Sequence, residues 1–341
     1  MTDGPLLSIR GLSVTMPGPE RPLTVVRDLD LDLDGGDALA LVGESGCGKT
    51  TTLLSILGLL PRGAAVTAGE IRFGESDLRT SDERQLRRIR GGRIGVVWQD
   101  PLAALDPVMR AGAQIAEVVS AHTDVDRRAA ERRAKDLMRL VELPDVDRTF
   151  DAYPHELSGG QRQRVVIATA IAADPVLLLA DEPTTALDVT VQDQVLALLG
   201  RLRRELGLAL LLVTHDLAVV SETCDRVAIM YAGRIVETGS AAEVFAGPRH
   251  HYSGGLLAAA PDVDRPGTRP AGIAGAPPTG VAEGCCAFAP RCPRADQLCL
   301  SALPELAQPA PAAGRAGHLT ACHYPLPAAG ARRPDPAGSH G

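Results

Sequence analysis

The N-terminal stretch alternates polar and apolar residues. Leu7-Ser8-Ile9-Arg10 and Leu29-Asp30-Leu31-Asp32-Leu33-Asp34 place apolar side chains at every second position, the period of strands with one buried face. Gly35-Gly36-Asp37 turns the chain, and Ala38-Leu39-Ala40-Leu41-Val42 is apolar throughout, which predicts a strand buried on both faces. A glycine-rich loop and a helix over 50–60 should follow, then a short strand, Ile94-Gly95-Val96-Val97-Trp98. From residue 100 the period changes. Residues 127–143 carry charges with apolar positions at helical spacing, so a helical subdomain is expected over about 100–160, with its polar face solvated. Helix 159–172, strand 176–181, helix 190–206 and strand 208–213 then alternate, which implies a parallel sheet covered by helices.

After about residue 253 the composition shifts. Pro, Gly and Ala dominate 261–284 and 309–341, so a linker or extended wrap is expected over 253–284 and a disordered tail over 328–341. A cysteine-rich extension, 285–327, lies between them, and no internal repeat is visible. The 341 residues suffice for one large domain or two. The net charge of −7 argues against a nucleic-acid partner, which selects for a basic patch. No apolar run approaches the length of a membrane span, and the start, Met1-Thr2-Asp3-Gly4-Pro5, lacks the basic and apolar regions of a signal peptide. A cytoplasmic protein is expected, one that would need integral partners to work at a membrane. Seven cysteines in such a chain suggest free thiols or a metal site rather than disulfides.

The candidate chemistry starts at Gly43-Glu44-Ser45-Gly46-Cys47-Gly48-Lys49-Thr50, placed after a predicted strand and before a predicted helix, the context a P-loop requires. Its glycines let backbone N–H groups point at phosphate oxygens, and the helix N-terminus adds partial positive charge. Lys49, one of only two lysines, would put a full charge on the β/γ-phosphates; Thr50 would be a Mg²⁺ ligand and Thr51 a partner of the α-phosphate. Cys47 is expected to be a spectator, although its place at a helix N-terminus could lower its pKa. A buried strand ending in Asp181-Glu182 would aim Asp181 at Mg²⁺ and Glu182 at the attacking water. Leu157-Ser158-Gly159-Gly160-Gln161 provides a second helix N-terminus, capped by Ser158 and left bare by two glycines.

In this order, the P-loop, Gln99, the LSGGQ pentapeptide, the acidic pair and His215 resemble the ATPase subunit of an ABC transporter over roughly residues 5–250. The resemblance implies an α/β fold: a P-loop ATPase domain (5–252), mainly parallel sheet with an N-terminal antiparallel part and a helical subdomain, plus the small Cys-rich extension. It implies ATP and Mg²⁺, with Gln99 sensing the metal and the lytic water and His215 bonding the γ-phosphate. Two such subunits, identical or different, would pack head to tail. Ser158, Gly159, Gly160 and Gln161 of one would then close over the nucleotide of the other, and the loop Ala186-Leu187-Asp188 would link the two sites.

Asp100-Pro101-Leu102-Ala103-Ala104-Leu105-Asp106-Pro107 and the stretch from Arg249-His250-His251-Tyr252 to Ala321-Cys322-His323 are similar to the oligopeptide, dipeptide and nickel importer branch. That branch implies two integral membrane permease subunits that receive 100–115, an extracytoplasmic substrate-binding protein met indirectly, and a place on the cytoplasmic face of the membrane. Cys286, Cys292, Cys299 and Cys322, at spacings x5, x6 and x22, do not follow common zinc patterns, and their chemistry leaves metal binding and free thiols open. Some members of the branch bind a [4Fe-4S] cluster through four such cysteines. Cys285 is an extra neighbour, and Cys224 is expected in the core. The patch also invites a different function, a soluble ABC ATPase acting in iron–sulfur assembly. One departure stands out: the family stacks adenine on an aromatic residue near position 16, where this chain has Met16 and no aromatic from residue 1 to 72, so weaker ATP binding is expected.

Overall fold

The computed structural model describes residues 4–18, 20–185, 187–259, 272–278, 283–309 and 317–327; the tail expected over 328–341 lies outside them. Strands β1 (Leu7–Met16) and β2 (Leu23–Leu33) form from the alternating segments, and β3 (Ala38–Val42) from the wholly apolar one. Helix α1 (Lys49–Leu57) stops before the expected position 60 because Gly58 takes a left-handed C-cap. Then come β4 (Ala65–Phe73), β5 (Ser76–Asp77), α2 (Glu83–Ile89) and β6 (Ile94–Val97). Five helices fill most of 101–170: α3 (Pro101–Ala104), α4 (Ala111–His122), α5 (Arg127–Leu140), α6 (Val146–Asp151) and α7 (Gly159–Ala170). In α5 the buried Ala130, Ala134, Leu137 and Met138 form one stripe, and the charged face is solvated as expected.

The chain then alternates through β7 (Leu177–Asp181), α8 (Val189–Leu206), β8 (Ala209–Thr214), α9 (Leu217–Thr223) and β9 (Arg226–Tyr231). After β10 (Arg234–Ser240) and α10 (Ala241–Ala246), helix α11 (His251–Ala259) runs across the boundary expected at 252. The extension adds α12 (Gln297–Ser301) and β11 (Leu319–Thr320).

Two sheets result. An antiparallel sheet has the order β2-β1-β4-β5, and a seven-stranded sheet the order β11-β10-β9-β3-β8-β7-β6. Pairings among β9, β3, β8, β7 and β6 are parallel; β10 and β11 close one edge antiparallel. The pleat sorts the apolar strands between two cores. Leu39, Leu41, Leu179 and Leu211 face the antiparallel sheet and α1, while Ala38, Ala40, Val42, Leu178 and Leu212 face the helices of 101–202. All parallel strands therefore end on one side, where the segments that follow β3, β6, β7 and β8 carry Lys49 (the first residue of α1), Gln99, Glu182 and His215.

Candidate nucleotide site

The loop between β3 and α1 is shaped by close approach. A Cβ on Gly43 would lie 2.2 Å from the Met230 carbonyl oxygen, and Gly48 has φ +110° with the Val25 carbonyl 2.7 Å from where a Cβ would stand. No side chain caps α1, so its first N–H groups are left to the loop. Lys49 is 4 % exposed; its Nζ donates to the carbonyls of Gly43 (2.7 Å) and Glu44 (3.1 Å) and lies 3.9 Å from Glu182 Oε1. Cys47 corrects one expectation: it is buried, and burial pushes its thiol pKa up, outweighing Lys49 beside it. Cys224 is in the core as expected, its thiol pushed up to about 12 by the same cause.

Asp181 ends β7 almost fully buried and accepts a hydrogen bond from Thr50 Oγ1 at 3.2 Å. Burial raises its pKa, and Glu182 adds to the effect. A hydroxyl beside a carboxylate that pays for desolvation is the donor set a divalent cation suits, because the cation restores the charged form. Glu182 then takes a left-handed backbone, φ +43°, while its N–H donates to the Val213 carbonyl at 2.8 Å. Such a conformation in a non-glycine residue costs about 1 kcal/mol or more. The turn gathers other groups on the carboxylate. Glu182 Oε2 accepts from Gln99 Nε2 at 3.3 Å and from Thr185 Oγ1 at 2.9 Å, and lies 3.2 Å from His215 Nδ1. Thr185 escaped the sequence reading; a hydroxyl three residues after an acidic strand end was the available signal.

Ser158 caps α7 through the Gln161 N–H, and Gln161 returns a bond to the Ser158 N–H, a capping box. Ser158 and Gly159 are exposed, and Gly160 packs so close to Val191 that a Cβ would stand 2.9 Å from it. Among the described residues no hydrogen bond or ion pair joins 158–161 to 43–51 of the same chain. Asp188 caps α8 through the Val191 N–H at 3.0 Å, and Ala186 lies outside the described residues. Met16 pairs with Leu23 across the antiparallel sheet. Leu23, Val25, residues 44–47, Pro277 and Pro278 line a cavity of about 270 Å³ beside the loop.

The extension is built into this body. Glu237 of β10 is fully buried and accepts from the N–H groups of Arg249 (2.6 Å) and His250 (2.9 Å), with His318 Nε2 at 2.7 Å. Tyr231, Tyr252 and Phe288 pack tilted and edge-to-face into one aromatic cluster with centroids 4.5–5.5 Å apart. Cys286, Cys292, Cys299 and Cys322 line a single small cavity with no carboxylate in its wall. Burial raises the pKa of Cys322 to about 11, with the other three thiols adding to the shift. The same wall carries His250, His251, Arg294 and His323, and no three His, Cys, Asp or Glu groups among the described residues are disposed to hold a metal ion. Tyr252 and Arg291, which both touch Glu44, belong to the stretch that resembles the importer branch, but nothing in the sequence assigned them a role at the P-loop.

Comparison with known proteins agrees with this geometry. Residues 26–185 match the ABC transporter family, and residues 236–299 match the oligopeptide/dipeptide transporter C-terminal region. A probable peptide ABC transporter ATP-binding protein of Sinorhizobium fredii is 45% identical over 93% of this chain and 94% of its own length. The oligopeptide transport ATP-binding protein OppD of Escherichia coli is 42% identical over 94% of each chain. Among solved structures, the dimeric post-hydrolysis state of the ATP-binding cassette MJ0796 bound to ADP and Pi superposes with a TM-score of 0.62 at 28% identity, covering 69% of this chain and 98% of that one. The iron–sulfur assembly alternative finds no support: the transporter match reaches residue 299, taking in Cys286 and Cys292, and the relatives are named as peptide transporter subunits. With its motifs in place and relatives matched along nearly its whole length, the chain belongs to the ATP-binding subunits of ABC transporters, in their oligopeptide/dipeptide branch.

Proposed function

We propose that this chain is one of two ATPase subunits of a peptide importer, working on the cytoplasmic face of the membrane against two integral permease subunits. The observation that carries the reading is the convergence of Lys49, Gln99, Thr185 and His215 on Glu182, one residue from the Asp181–Thr50 pair. Lys49 would bind the β/γ-phosphates of ATP. Thr50 and Asp181, with Gln99, would hold Mg²⁺, which when bound neutralises charge on the phosphate oxygens. Oε2 of Glu182 takes the three contacts from Gln99, Thr185 and His215. Oε1 is left to accept a proton from water as its oxygen attacks the γ-phosphorus and ADP departs. His215, 56 % exposed on its side chain, can turn a ring N–H toward the γ-phosphate.

The exposed, capped start of α7 would complete the nucleotide site of a second ATPase subunit, identical or different, with Ser158, Gly159 and Gly160 at the phosphates and Asp188 at the junction. ATP then holds the two chains together and its hydrolysis releases them. Leu102 and Val108, 51 % and 82 % exposed within 100–115, suit an apolar contact with the permeases. Among the described residues no helix is long and apolar enough to cross a membrane, which fits a chain held there by partners. The division into an ATPase domain, a connecting segment and a Cys-rich extension is part of the same proposal, with α11 spanning the first boundary. So is a structural [4Fe-4S] cluster on Cys286, Cys292, Cys299 and Cys322. Peptides are the cargo favoured by the relatives' names; nickel is the other cargo class of the branch.

The test is anaerobic co-expression with candidate permease subunits, followed by reconstitution with the substrate-binding protein. Peptide uptake that depends on ATP, with iron and sulfide lost in Cys292→Ser, supports the reading. An ATPase that recruits no membrane subunit overturns it.

A further inference from the structure

The P-loop carries one acidic side chain, Glu44, and the extension holds it from 247 residues away. Arg291 Nη1 donates to Glu44 Oε2 at 2.6 Å and Nη2 donates to Oε1 at 3.0 Å, a two-pronged pairing of planar groups. The guanidinium is fixed on its remaining sides. Its Nε donates to the Ala274 carbonyl at 2.9 Å, Nη1 also reaches the Tyr231 hydroxyl at 3.3 Å, and its side chain is 5 % exposed. From the opposite side the Tyr252 hydroxyl accepts the Glu44 N–H at 2.8 Å. Both polar ends of Glu44 are thus held by residues beyond 250. Its carbonyl, in turn, is one of the two that receive Lys49 Nζ.

A carboxylate in a loop that must receive a triphosphate is a liability. Unpaired, it would repel the ligand and would be free to draw Lys49 toward itself. Paired with a buried, pre-oriented guanidinium, it is neutralised, and its backbone stays where Lys49 needs it. We propose that Arg291 is a positioning residue of the nucleotide site: it cancels the charge of Glu44 and holds the P-loop in its phosphate-binding shape, so the C-terminal extension is a working part of the ATPase. The proposal rests on reading 43–50 as the ATP site.

The experiment measures ATP affinity, by titration calorimetry with Mg-ATP, and turnover of the full chain. Arg291→Gln should weaken ATP binding about tenfold, about 1.4 kcal/mol, with kcat at saturating ATP within about twofold, since the groups on Glu182 are untouched. Arg291→Lys keeps the charge but loses the fork, and should weaken binding about threefold. Adding Glu44→Gln to Arg291→Gln removes the stranded charge and should restore affinity to within about threefold of wild type, a rescue that a merely structural arginine would not show. Unchanged affinity in Arg291→Gln overturns the proposal, as does a loss that Glu44→Gln fails to rescue. If Arg291→Gln does not fold, unchanged affinity in Arg291→Lys overturns it alone. Lys49→Ala serves as the control: retained ATP binding there would remove the ATP-site reading itself.

Discussion

Replacing Glu182 by glutamine isolates the proton transfer. The amide keeps the side chain's length, and its oxygen can still accept from Gln99 and Thr185, so the packing around it persists. What disappears is the charge that accepts the proton. A positioned general base contributes roughly 10²–10⁴ to turnover, about 3–5 kcal/mol of barrier. The upper half of that range is expected here. The carboxylate is 15 % exposed, three groups fix Oε2, and Lys49 stands 3.9 Å from Oε1, so the base is held rather than mobile. Ground-state binding should survive, because Lys49 and the loop are unchanged. The assay pairs steady-state ATP hydrolysis with size-exclusion chromatography in Mg-ATP. The expected result is a kcat down by about 10³, an ATP affinity within about threefold, and a dimer that persists with ATP because the step that releases it has stalled. A kcat within tenfold of wild type would refute the assignment of Glu182 as the base and would leave water activation to another group.

Lys49→Ala should abolish detectable ATP binding in a fluorescent-nucleotide titration, because the full positive charge of the loop is lost. Met16→Tyr should tighten ATP binding about fivefold, the equivalent of about 1 kcal/mol of ring stacking, since position 16 pairs with Leu23, which lines the cavity beside the loop; equal affinities would refute it. His250 supplies a pH prediction. It is 1 % exposed, its Nδ1 accepts the Tyr252 N–H, and burial lowers its pKa from 6.5 to about 4. The unfolded chain binds a proton that the folded chain refuses, so this contribution is complete above pH 6.5 and is lost as pH falls toward 4, about 3 kcal/mol in all. Urea midpoints should drop across that window in wild type and less steeply in His250→Asn; parallel curves would refute the cause.

Much of the fold was legible because burial and period coincide. Strand β3 is buried at all five positions, and its sequence is apolar at all five. Strand β4 was not foreseen: most of its nine positions are exposed or half-buried, so Ala65–Phe73 has no clean alternation to read. The glycine loop, Asp181-Glu182 and Ser158 were legible because each is local: a turn, a strand end, a cap. The turn at Glu182 was not, since nothing in a glutamate announces φ +43°. Long-range pairing is the harder case. With 35 Lys and Arg residues and 42 Asp and Glu residues, the chain offers no means of choosing Arg291 for Glu44; the choice is made by the fold. Composition presented 253–284 as a spacer, yet α11 places the Tyr252 hydroxyl on the P-loop, and Ala274 and Ile273 lend carbonyls to Arg291. At its far end the extension adds β11 to the main sheet, beside Glu237. A segment that can be removed without cost leaves no buried charge behind. Cutting this chain before Arg291 would strand the Glu44 carboxylate in the P-loop and remove His318 from the buried Glu237. The expectation is that such a truncation loses ATP affinity even where the cassette's sheet survives.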